Sequence, residues 1–429
     1  MAVDSSLDLR RLVIYSIYIR NFSQQGDFKS VIGELDRIKK MGVDMIWFLP
    51  HYPIGQVKRK GSKGSPYAIQ DYREVNPELG SRQDFIDLID AIHQANMKVM
   101  IDIVYNHTSP DSVLSQDYPE WFYKKADGSF GNHIGEWTDV IDLEYKGNPN
   151  LWDYQIETLC DYAKLVDGFR CDVAPLVPLE FWLKARKAVK EVNPDLIWLA
   201  ESVEPSFIKE TRRQGITGLS DSQVYQAFDL TYDYDIDKEF IAYLKGELPL
   251  SSYVKAIDRQ FWTYPVNFTK LRFLENHDQA RIVAKMRPDH DLKQLMAFNF
   301  FLPGAHLIYN GQEVQATHLP SLFEKDPIDW DWDQDISADF KSLIELKKTQ
   351  LPVEASFSLG ADDDLDAVWA RYEAQEDKWL AIFSLTKEHY GLLQVPVADG
   401  TYQDLISGQT IQVTEGQLQT GSQPLYFKY

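Results

Sequence analysis

Cysteine is scarce in this chain of 429 residues, which contains only Cys160 and Cys171. Two cysteines cannot form the dense disulfide framework that stabilises small secreted domains. The pattern therefore favours two buried free thiols over a disulfide or a metal centre.

Long hydrophobic runs are also missing. No uninterrupted apolar segment approaches the ~20 residues that a membrane-spanning helix needs. Residues 1–11 are polar, and the apolar residues of 12–19 alternate with Tyr and Ser as in a strand rather than a secretory signal. These observations predict a cytoplasmic protein without a membrane partner.

Positive charge is in deficit. The chain has 44 basic and 65 acidic residues, which gives a formal net charge of −21. Nucleic acids and anionic membrane surfaces both require a basic footprint on the protein that binds them, so neither is expected as a partner. An uncharged substrate such as a glucan is compatible with this charge. The oligomeric state is left open.

The sequence does contain a repeated order of strand and helix patterns. Strands are predicted at residues 13–18, 44–49, 98–104, 165–171, 196–200, 223–228, 270–274 and 305–309. Helical patterns lie between them, such as residues 28–40 and a helix that begins at Ser81. A doubly wound sheet would show a glycine-rich phosphate loop after its first strand, and none is present there. The order predicts an α/β fold, the (β/α)8 TIM barrel.

Two regions depart from this repeat. The connection after the third strand is too long for a simple loop, and after residue 351 the pattern changes to alternating strands separated by turns. We therefore predict a barrel at residues 1–107 and 147–350, a small insert domain at 108–146 and a C-terminal antiparallel β-sandwich at 351–429. Trp121, Phe122, Tyr123 and Trp137 of the insert suit either its own core or a ligand-stacking wall.

Four short motifs follow strand-like stretches in a fixed order. They are residues 102–107 (DIVYNH), residues 168–172 (GFRCD), Glu201 after an apolar run, and residues 273–278 (FLENHD). One such match would mean little, but the order and strand-end placement of all four make the signal specific. Because the carboxyl ends of barrel strands face the same side, their polar residues are expected to converge.

Three carboxyl groups stand out in these motifs: Asp172, Glu201 and Asp278. Glycoside cleavage needs a carboxylic acid that protonates the leaving oxygen and a carboxylate that acts at the anomeric carbon. Arg170 lies two residues before Asp172, so its side chain leaves the strand on the same face and would keep the aspartate ionised. Nearby carboxylates and partial burial would raise the pKa of Glu201, as an acid working near neutrality requires.

Together with residues 42–50, 67–72 (YAIQDY) and 309–313 (YNGQE), these motifs resemble those of the α-amylase superfamily, glycoside hydrolase family thirteen. The resemblance covers most of the predicted barrel and implies a retaining double-displacement reaction on α-glucosidic bonds. It implies that Asp172 is the nucleophile, Glu201 the acid/base and Asp278 the transition-state stabiliser.

The same resemblance implies a set of substrate-binding residues. The set comprises Tyr67, Asp102, His107, Arg170, His277 and Arg281. Tyr67 would stack on the sugar that is cleaved, and the two histidines would bind its hydroxyl groups. Asp102 would shape the pocket by holding Arg170.

The resemblance also bears on cofactors, and none is expected to be required. Asn106 and Asp142 match positions that supply oxygen ligands to calcium in some relatives, but two candidates fall short of the usual six to eight. Many α-amylases continue the nucleophile motif with Lys-His, whereas this chain has Val173 and Ala174 next. We therefore expect different leaving-side contacts and no tightly bound calcium.

The expected function is hydrolysis of α-glucosidic bonds, most simply α-1,4, in malto-oligosaccharides or starch- and glycogen-type glucans. Val173 after the nucleophile resembles the α-1,6-glucosidases instead, and a glucan transglycosylase would use the same covalent intermediate. A non-catalytic glucan-binding or transporter-associated barrel is the alternative from another class. The presence of Asp172, Glu201 and Asp278 argues against that last alternative.

Overall fold

The computed structural model describes residues 4–429, and its centre is a closed barrel of eight parallel strands. The strands are β1 (Val13–Ile17), β2 (Met45–Phe48), β3 (Lys98–Ile103), β4 (Gly168–Cys171), β5 (Ile197–Ala200), β6 (Leu230–Tyr232), β7 (Lys270–Arg272) and β8 (Ala305–Tyr309). Each strand pairs with the next in the chain, and β8 pairs with β1. The predicted TIM barrel is therefore confirmed.

Both faces of the barrel strands are buried, which explains their nearly continuous apolar sequences. The barrel interior is filled by side chains such as Ile14, Trp47, Met100, Leu199 and Leu307. Residues on the other face pack against the surrounding helices in a second core. Because the interior is filled, room for a site exists only beyond the strand ends.

Helices cover the outside of the barrel. The α-helices are Ile19–Phe22, Phe28–Ile32, Leu35–Lys40, Arg82–Gln94, Val113–Asp117, Pro149–Tyr162, Leu179–Lys190, Pro205–Arg213, Asp221–Val224, Asp237–Leu244, Leu250–Thr263, Ile282–Lys285, Leu292–Phe301 and Ser337–Thr349. The predicted helix at Ser81 begins with a capping box between Ser81 and Asp84. Within residues 4–429, none of the helices has the length and apolarity to cross a membrane.

The prediction of a sixth strand at residues 223–228 is wrong. This stretch instead begins inside the short helix Asp221–Val224, which Ser220 caps through a capping box. The strand comes later, at β6, and its three residues are too few for alternation to stand out in the sequence. The shift matters because it places Tyr234 just beyond the end of a barrel strand.

The connection between β3 and β4 forms a small insert. Its base is a two-stranded antiparallel ladder between His107–Thr108 and Ile141–Asp142. Trp121 and Phe122 are buried within it. The ladder ties the far end of the insert back to the end of β3, where the DIVYNH motif lies.

The C-terminal region contains two four-stranded antiparallel sheets. Their strands are β9 (Ser356–Asp362), β10 (Ala367–Ala374), β11 (Asp377–Ser384), β12 (Leu392–Gln394), β13 (Gly400–Gln403), β14 (Thr410–Thr414), β15 (Gln417–Gln419) and β16 (Leu425–Lys428). The sheet orders are β9-β10-β11-β16 and β12-β15-β14-β13. Leu380, Val413 and Phe427 from both sheets share one apolar core, as in a sandwich.

Candidate active site

The sequence motifs meet at the carboxyl end of the barrel. Asp102 and Arg170 lie in β3 and β4, while Asp172 and Glu201 directly follow β4 and β5. The β3–β4 ladder pairs Asp102 with Arg170, and β4 runs in register with β5. The parallel register therefore brings these four side chains, which are up to 99 positions apart in sequence, to one end of adjacent strands.

The guanidinium of Arg170 is fully buried and contacts three carboxyl groups. Its Nη1 donates to Asp102 Oδ1 at 2.8 Å and to Asp172 Oδ1 at 2.9 Å. Its Nη2 lies 3.0 Å from Glu201 Oε2 in an ion-pair contact without hydrogen-bond alignment. Nε donates to Tyr232 Oη at 3.2 Å. A single cation therefore holds Asp172 and Glu201 beside each other.

One guanidinium cannot compensate three buried carboxylates. Burial, opposed by the charge of Arg170, raises the pKa of Glu201 to about 8. Burial likewise raises the pKa of Asp172 and that of Asp102 to about 7, and repulsion between the carboxylates adds to each rise. With one cation among three buried carboxyl groups, part of this cluster stays protonated near neutral pH. The site separates a carboxylic acid from a carboxylate near neutral pH.

The residue after Asp172 orients Glu201. Val173 N donates to Glu201 Oε2 at 2.7 Å. To do so, Val173 adopts a left-handed backbone with φ 34° and ψ 44°, which costs a β-branched residue about 1–3 kcal/mol. Because Oε2 accepts this bond and faces Arg170, Oε1 is the atom left to carry the proton.

His107 and His277 are neutral, because burial lowers the pKa of each to about 4. The Asn106 amide lies 3.1 Å from His107 Nδ1; in the tautomer that accepts there, the ring proton is on Nε2. That Nε2 lies 3.8 Å from Asp172 Oδ2. His107 is therefore placed as an uncharged hydrogen-bond donor beside the nucleophile position.

Tyr67 links two of the motifs. Its hydroxyl donates to Asp102 Oδ2 at 3.2 Å, and its oxygen lies 2.6 Å from His277 Nε2. The Tyr67 and His277 rings stack, with centroids 5.7 Å apart and an interplanar angle of 14°. His277 Nε2 also lies 3.1 Å from Asp278 Oδ2. These contacts join the third predicted carboxylate to the other two through neutral side chains.

The carboxyl groups border a cleft of about 360 Å³. Its lining residues are Lys60, Ser65, Tyr67, His107, Trp137, Asp139, Val140, Asp172, Val173, Glu201, Tyr234, Asp278 and Phe323. Cavities of about 430 and 590 Å³ lie elsewhere on the protein, but in neither does a buried guanidinium bridge two of the lining carboxyl groups. Chemistry rather than size identifies the site.

Three of the predicted substrate-binding residues lie behind this lining. Asp102, Arg170 and His277 have no exposed side-chain surface and are hydrogen-bonded to residues that do line the cleft. They hold Tyr67 and Asp172 in position and do not themselves face the cleft.

Arg281 does not reach the cleft, which corrects the expectation that it binds substrate. Its buried guanidinium donates to Glu275 Oε1 at 2.7 Å, to the Asn310 carbonyl at 2.9 Å and to the His318 carbonyl at 3.1 Å. All of these partners are protein groups. Arg281 therefore fastens the loop after β7 to the loop after β8.

Sequence reasoning missed several lining residues. Tyr234 follows β6, and correct placement of that strand would have drawn attention to it. Lys60, Asp139 and Phe323 lie in irregular loops, where no periodic pattern marks a side chain as facing a site. Only the folded arrangement of three loops brings them together.

The insert's aromatic residues divide between the two roles left open. Trp121 and Phe122 are buried in the insert, whereas Trp137 lines the cleft. The Trp137 ring lies 5.3 Å from that of His107. Trp137 is therefore part of the site, and the other two residues belong to its supporting core.

Asn106 and Asp142, the two candidate calcium ligands, both contact protein groups. Asp142 Oδ2 accepts from the backbone N and from Nδ1 of His133, both at 2.7 Å. The Asn106 amide nitrogen faces His107. Asp142 Oδ1 is the carboxylate atom without a partner here, whereas calcium requires six to eight oxygen ligands. Across residues 4–429, no cluster of three or more His, Cys, Asp or Glu residues suits a metal ion.

Comparison with known proteins gives consistent matches along the chain. Residues 15–157 and 120–388 match the α-amylase catalytic domain, and residues 358–427 match the bacterial α-amylase C-terminal domain. The crystal structure of an α-amylase from Lactobacillus plantarum is 45% identical, with a TM-score of 0.92. That similarity covers 99% of this chain and 100% of that chain.

Two less similar proteins that match this chain are also named as α-amylases. The noncanonic maltogenic α-amylase AmyB of Thermotoga neapolitana is 29% identical, with a TM-score of 0.86 over 98% of this chain and 99% of that chain. The α-amylase MalA of Haloarcula japonica is 27% identical over 82% of this chain. The match covers 50% of the length of MalA. The matched domains, the barrel and the carboxyl cluster on Arg170 establish the family. The chain belongs to the α-amylase family of glycoside hydrolases, glycoside hydrolase family thirteen.

Proposed function

We propose that this protein is a retaining hydrolase of α-1,4-glucosidic bonds in malto-oligosaccharides and related glucans. The observation that carries the proposal is the contact of one buried guanidinium, that of Arg170, with both Asp172 and Glu201. A carboxylate and a carboxylic acid held side by side supply the two groups that a retaining reaction needs. The names of the similar α-amylases support an α-glucan substrate.

In the first step, Asp172 attacks the anomeric carbon of the sugar while Glu201 gives its Oε1 proton to the leaving oxygen. A glycosyl ester with Asp172 forms, the glycosidic bond breaks, and Glu201 becomes a carboxylate. In the second step, Glu201 takes a proton from water, whose oxygen attacks the anomeric carbon and releases Asp172. Two displacements on one centre retain the α configuration.

Asp278 has a different role in this proposal. Its side chain is 38% exposed at the cleft and lies against the neutral His277. An ionised carboxylate in that position offsets positive charge that develops on the sugar ring in the transition state. His107 and Tyr67 line the cleft nearby, so we propose that they contact the sugar that is cleaved.

We propose that the reaction uses no bound metal, because His133 engages Asp142 Oδ2 and the two candidate residues fall short of the six to eight oxygen ligands that calcium takes. We also propose a cytoplasmic location. Cys160 and Cys171 are both free thiols, which is compatible with a reducing compartment.

The proposed roles predict a bell-shaped dependence of kcat/KM on pH. Activity is lost as the pH falls and Asp172 becomes protonated, and it is lost as the pH rises and Glu201 loses its proton. Because burial raises the pKa of both groups, the maximum lies near neutral pH, above the ordinary carboxyl range. Glu201→Gln should remove the basic limb when an α-maltosyl fluoride is used, because fluoride leaves without protonation. A basic limb unchanged in Glu201→Gln would contradict the acid role.

The substrate assignment is tested by product analysis. Maltoheptaose, panose and isomaltose are incubated with the protein, and products are separated by chromatography, with an Asp172→Asn preparation as the control for contaminating activity. We expect maltoheptaose to be shortened, panose to be cut at its α-1,4 bond and isomaltose to remain intact. Cleavage of isomaltose would favour an α-1,6-glucosidase, and larger products would favour transfer. Absence of turnover on every substrate would contradict the proposal.

A further inference from the structure

Lys60 connects three loops that border the cleft. It lies in the loop between β2 and the helix Arg82–Gln94, and its Nζ is 2.9 Å from Asp139 Oδ1 in the insert. Nζ also donates to the Glu136 carbonyl at 3.4 Å and lies 5.9 Å from the ring centroid of Phe323, beyond β8. Lys60, Asp139 and Phe323 all line the cleft. One ammonium group therefore holds the loops together at the cleft wall.

The topology assigns this contact to one end of the cleft. In the barrel, β2 and β3 lie on one side of β4, and β5 and β6 lie on the other. Glu201 follows β5 and protonates the leaving oxygen in the proposed reaction, so the leaving part of the substrate lies toward β5 and Tyr234. Lys60 and Asp139 come from the β2 and β3 loops. They therefore lie on the side of the sugars that become attached to Asp172.

The ion pair is more than a solvated surface contact. The Asp139 side chain is only 6% exposed, so its carboxylate depends on Lys60 for compensation of its charge. Exposed pairs are screened by water, whereas a pair with one nearly buried partner is screened less. A glucan that continued past this point would have to separate the pair. The cleft of about 360 Å³ is also near the lower end of the ~300–1,000 Å³ range of ligand pockets.

We propose that the Lys60–Asp139 pair closes the non-reducing-end side of the cleft. This inference rests on the proposed function, because it uses the orientation that Glu201 imposes on the substrate. The consequence is that the protein accepts chain ends: a glucan enters with its free non-reducing end against the pair, and short saccharides are released from that end. Lys60 and Asp139 are specificity-determining residues and not catalytic ones.

The test compares two fluorescent substrates. Both are maltoheptaose labelled at the reducing end, and one carries a 4,6-O-ethylidene group on its non-reducing-end glucose. For the wild-type protein, we expect kcat/KM on the blocked substrate to be lower than on the free one by about tenfold or more, because a closed pocket rejects the added group. Lys60→Ala and Asp139→Ala should each bring the blocked-to-free ratio close to one and lengthen the released saccharides.

Lys63→Ala is the matched control. Lys63 lies on the same loop, pairs with Glu78 at 3.0 Å and does not line the cleft, so its removal should leave the ratio at the wild-type value. Equal cleavage of both substrates by the wild-type protein would overturn the inference, even if the variants failed to fold. So would folded Lys60→Ala and Asp139→Ala proteins with an unchanged ratio. A wild-type protein inactive on both substrates would overturn the proposed function and this inference with it.

Discussion

Asp172→Asn is expected to lower kcat on maltodextrin by at least about 10⁴-fold, the scale seen when a catalytic nucleophile is removed. Asparagine has nearly the same shape and can still accept from Arg170 Nη1, so the fold should persist. Reducing-sugar release measures the activity, and circular dichroism with thermal denaturation measures the fold. Asp36→Asn, at an exposed ion pair with Lys40, should leave both unchanged.

A loss of activity alone does not distinguish a nucleophile from a structural residue. Rescue of a variant by added azide does distinguish them. In Asp172→Gly, azide has room to attack the anomeric carbon from the side that Asp172 occupied, while the leaving group departs from the other side. The product would be a β-glycosyl azide, formed by a single inverting displacement. Failure of azide to restore turnover in a folded Asp172→Gly protein, together with substantial activity of Asp172→Asn, would contradict the nucleophile role.

Arg170→Met is expected to lower the free energy of unfolding by about 3–5 kcal/mol at neutral pH, because it leaves buried carboxylates without their cation. Asp102, Asp172 and Glu201 all contact this guanidinium. Activity should be lost as well, since Asp172 and Glu201 would no longer be held together. Urea denaturation measures the stability. Arg287→Met, at a partly exposed pair with Asp289, should cost at most about 1 kcal/mol.

The loss of unfolding free energy in Arg170→Met should become larger as the pH rises. The pKa values of the three carboxyl groups are already raised above their ordinary values, and loss of the cation raises them further. In both proteins the folded state binds these protons more tightly than the unfolded state, so stability falls as the pH rises above about 4, the ordinary carboxyl range; in the wild type the fall ends near its raised pKa values, whereas in the variant it continues to higher pH. The variant should therefore be closer to the wild type at pH 5 than at pH 8. A deficit independent of pH would mean that packing, not charge, is the main loss.

Much of the fold could be predicted because the barrel strands are buried on both faces. β2 (MIWF) is entirely apolar and ends two residues before Pro50, while β8 (AHLIY) has one polar residue, the buried His306, and is followed by Asn310. Such short and almost wholly apolar segments have few other interpretations. β6 has only three residues and follows a short capped helix, so local pattern could not place it. Because this strand was misplaced, Tyr234 was not predicted as a residue of the site.

The site residues also divide into those that the sequence could predict and those that it could not. Asp172 and Glu201 follow strands directly, so their positions depend on strand geometry that a sequence pattern records. Lys60 and Asp139 meet only because two loops fold toward each other, which depends on tertiary contacts. Arg281 was predicted as a site residue because it lies near a motif in the sequence. Its side chain is instead bound to protein groups outside the cleft.

The most direct test of the central claim is peptide mass spectrometry after incubation with a 5-fluoro-α-glycosyl fluoride. This reagent slows hydrolysis of a covalent intermediate more than its formation, so a retaining enzyme accumulates the glycosyl ester. The proposed roles predict the added mass on the peptide that contains Asp172, and on the carboxylate of that residue. A label on Glu201 or Asp278, or catalytic turnover with no covalent adduct and an inverted product, would contradict the account.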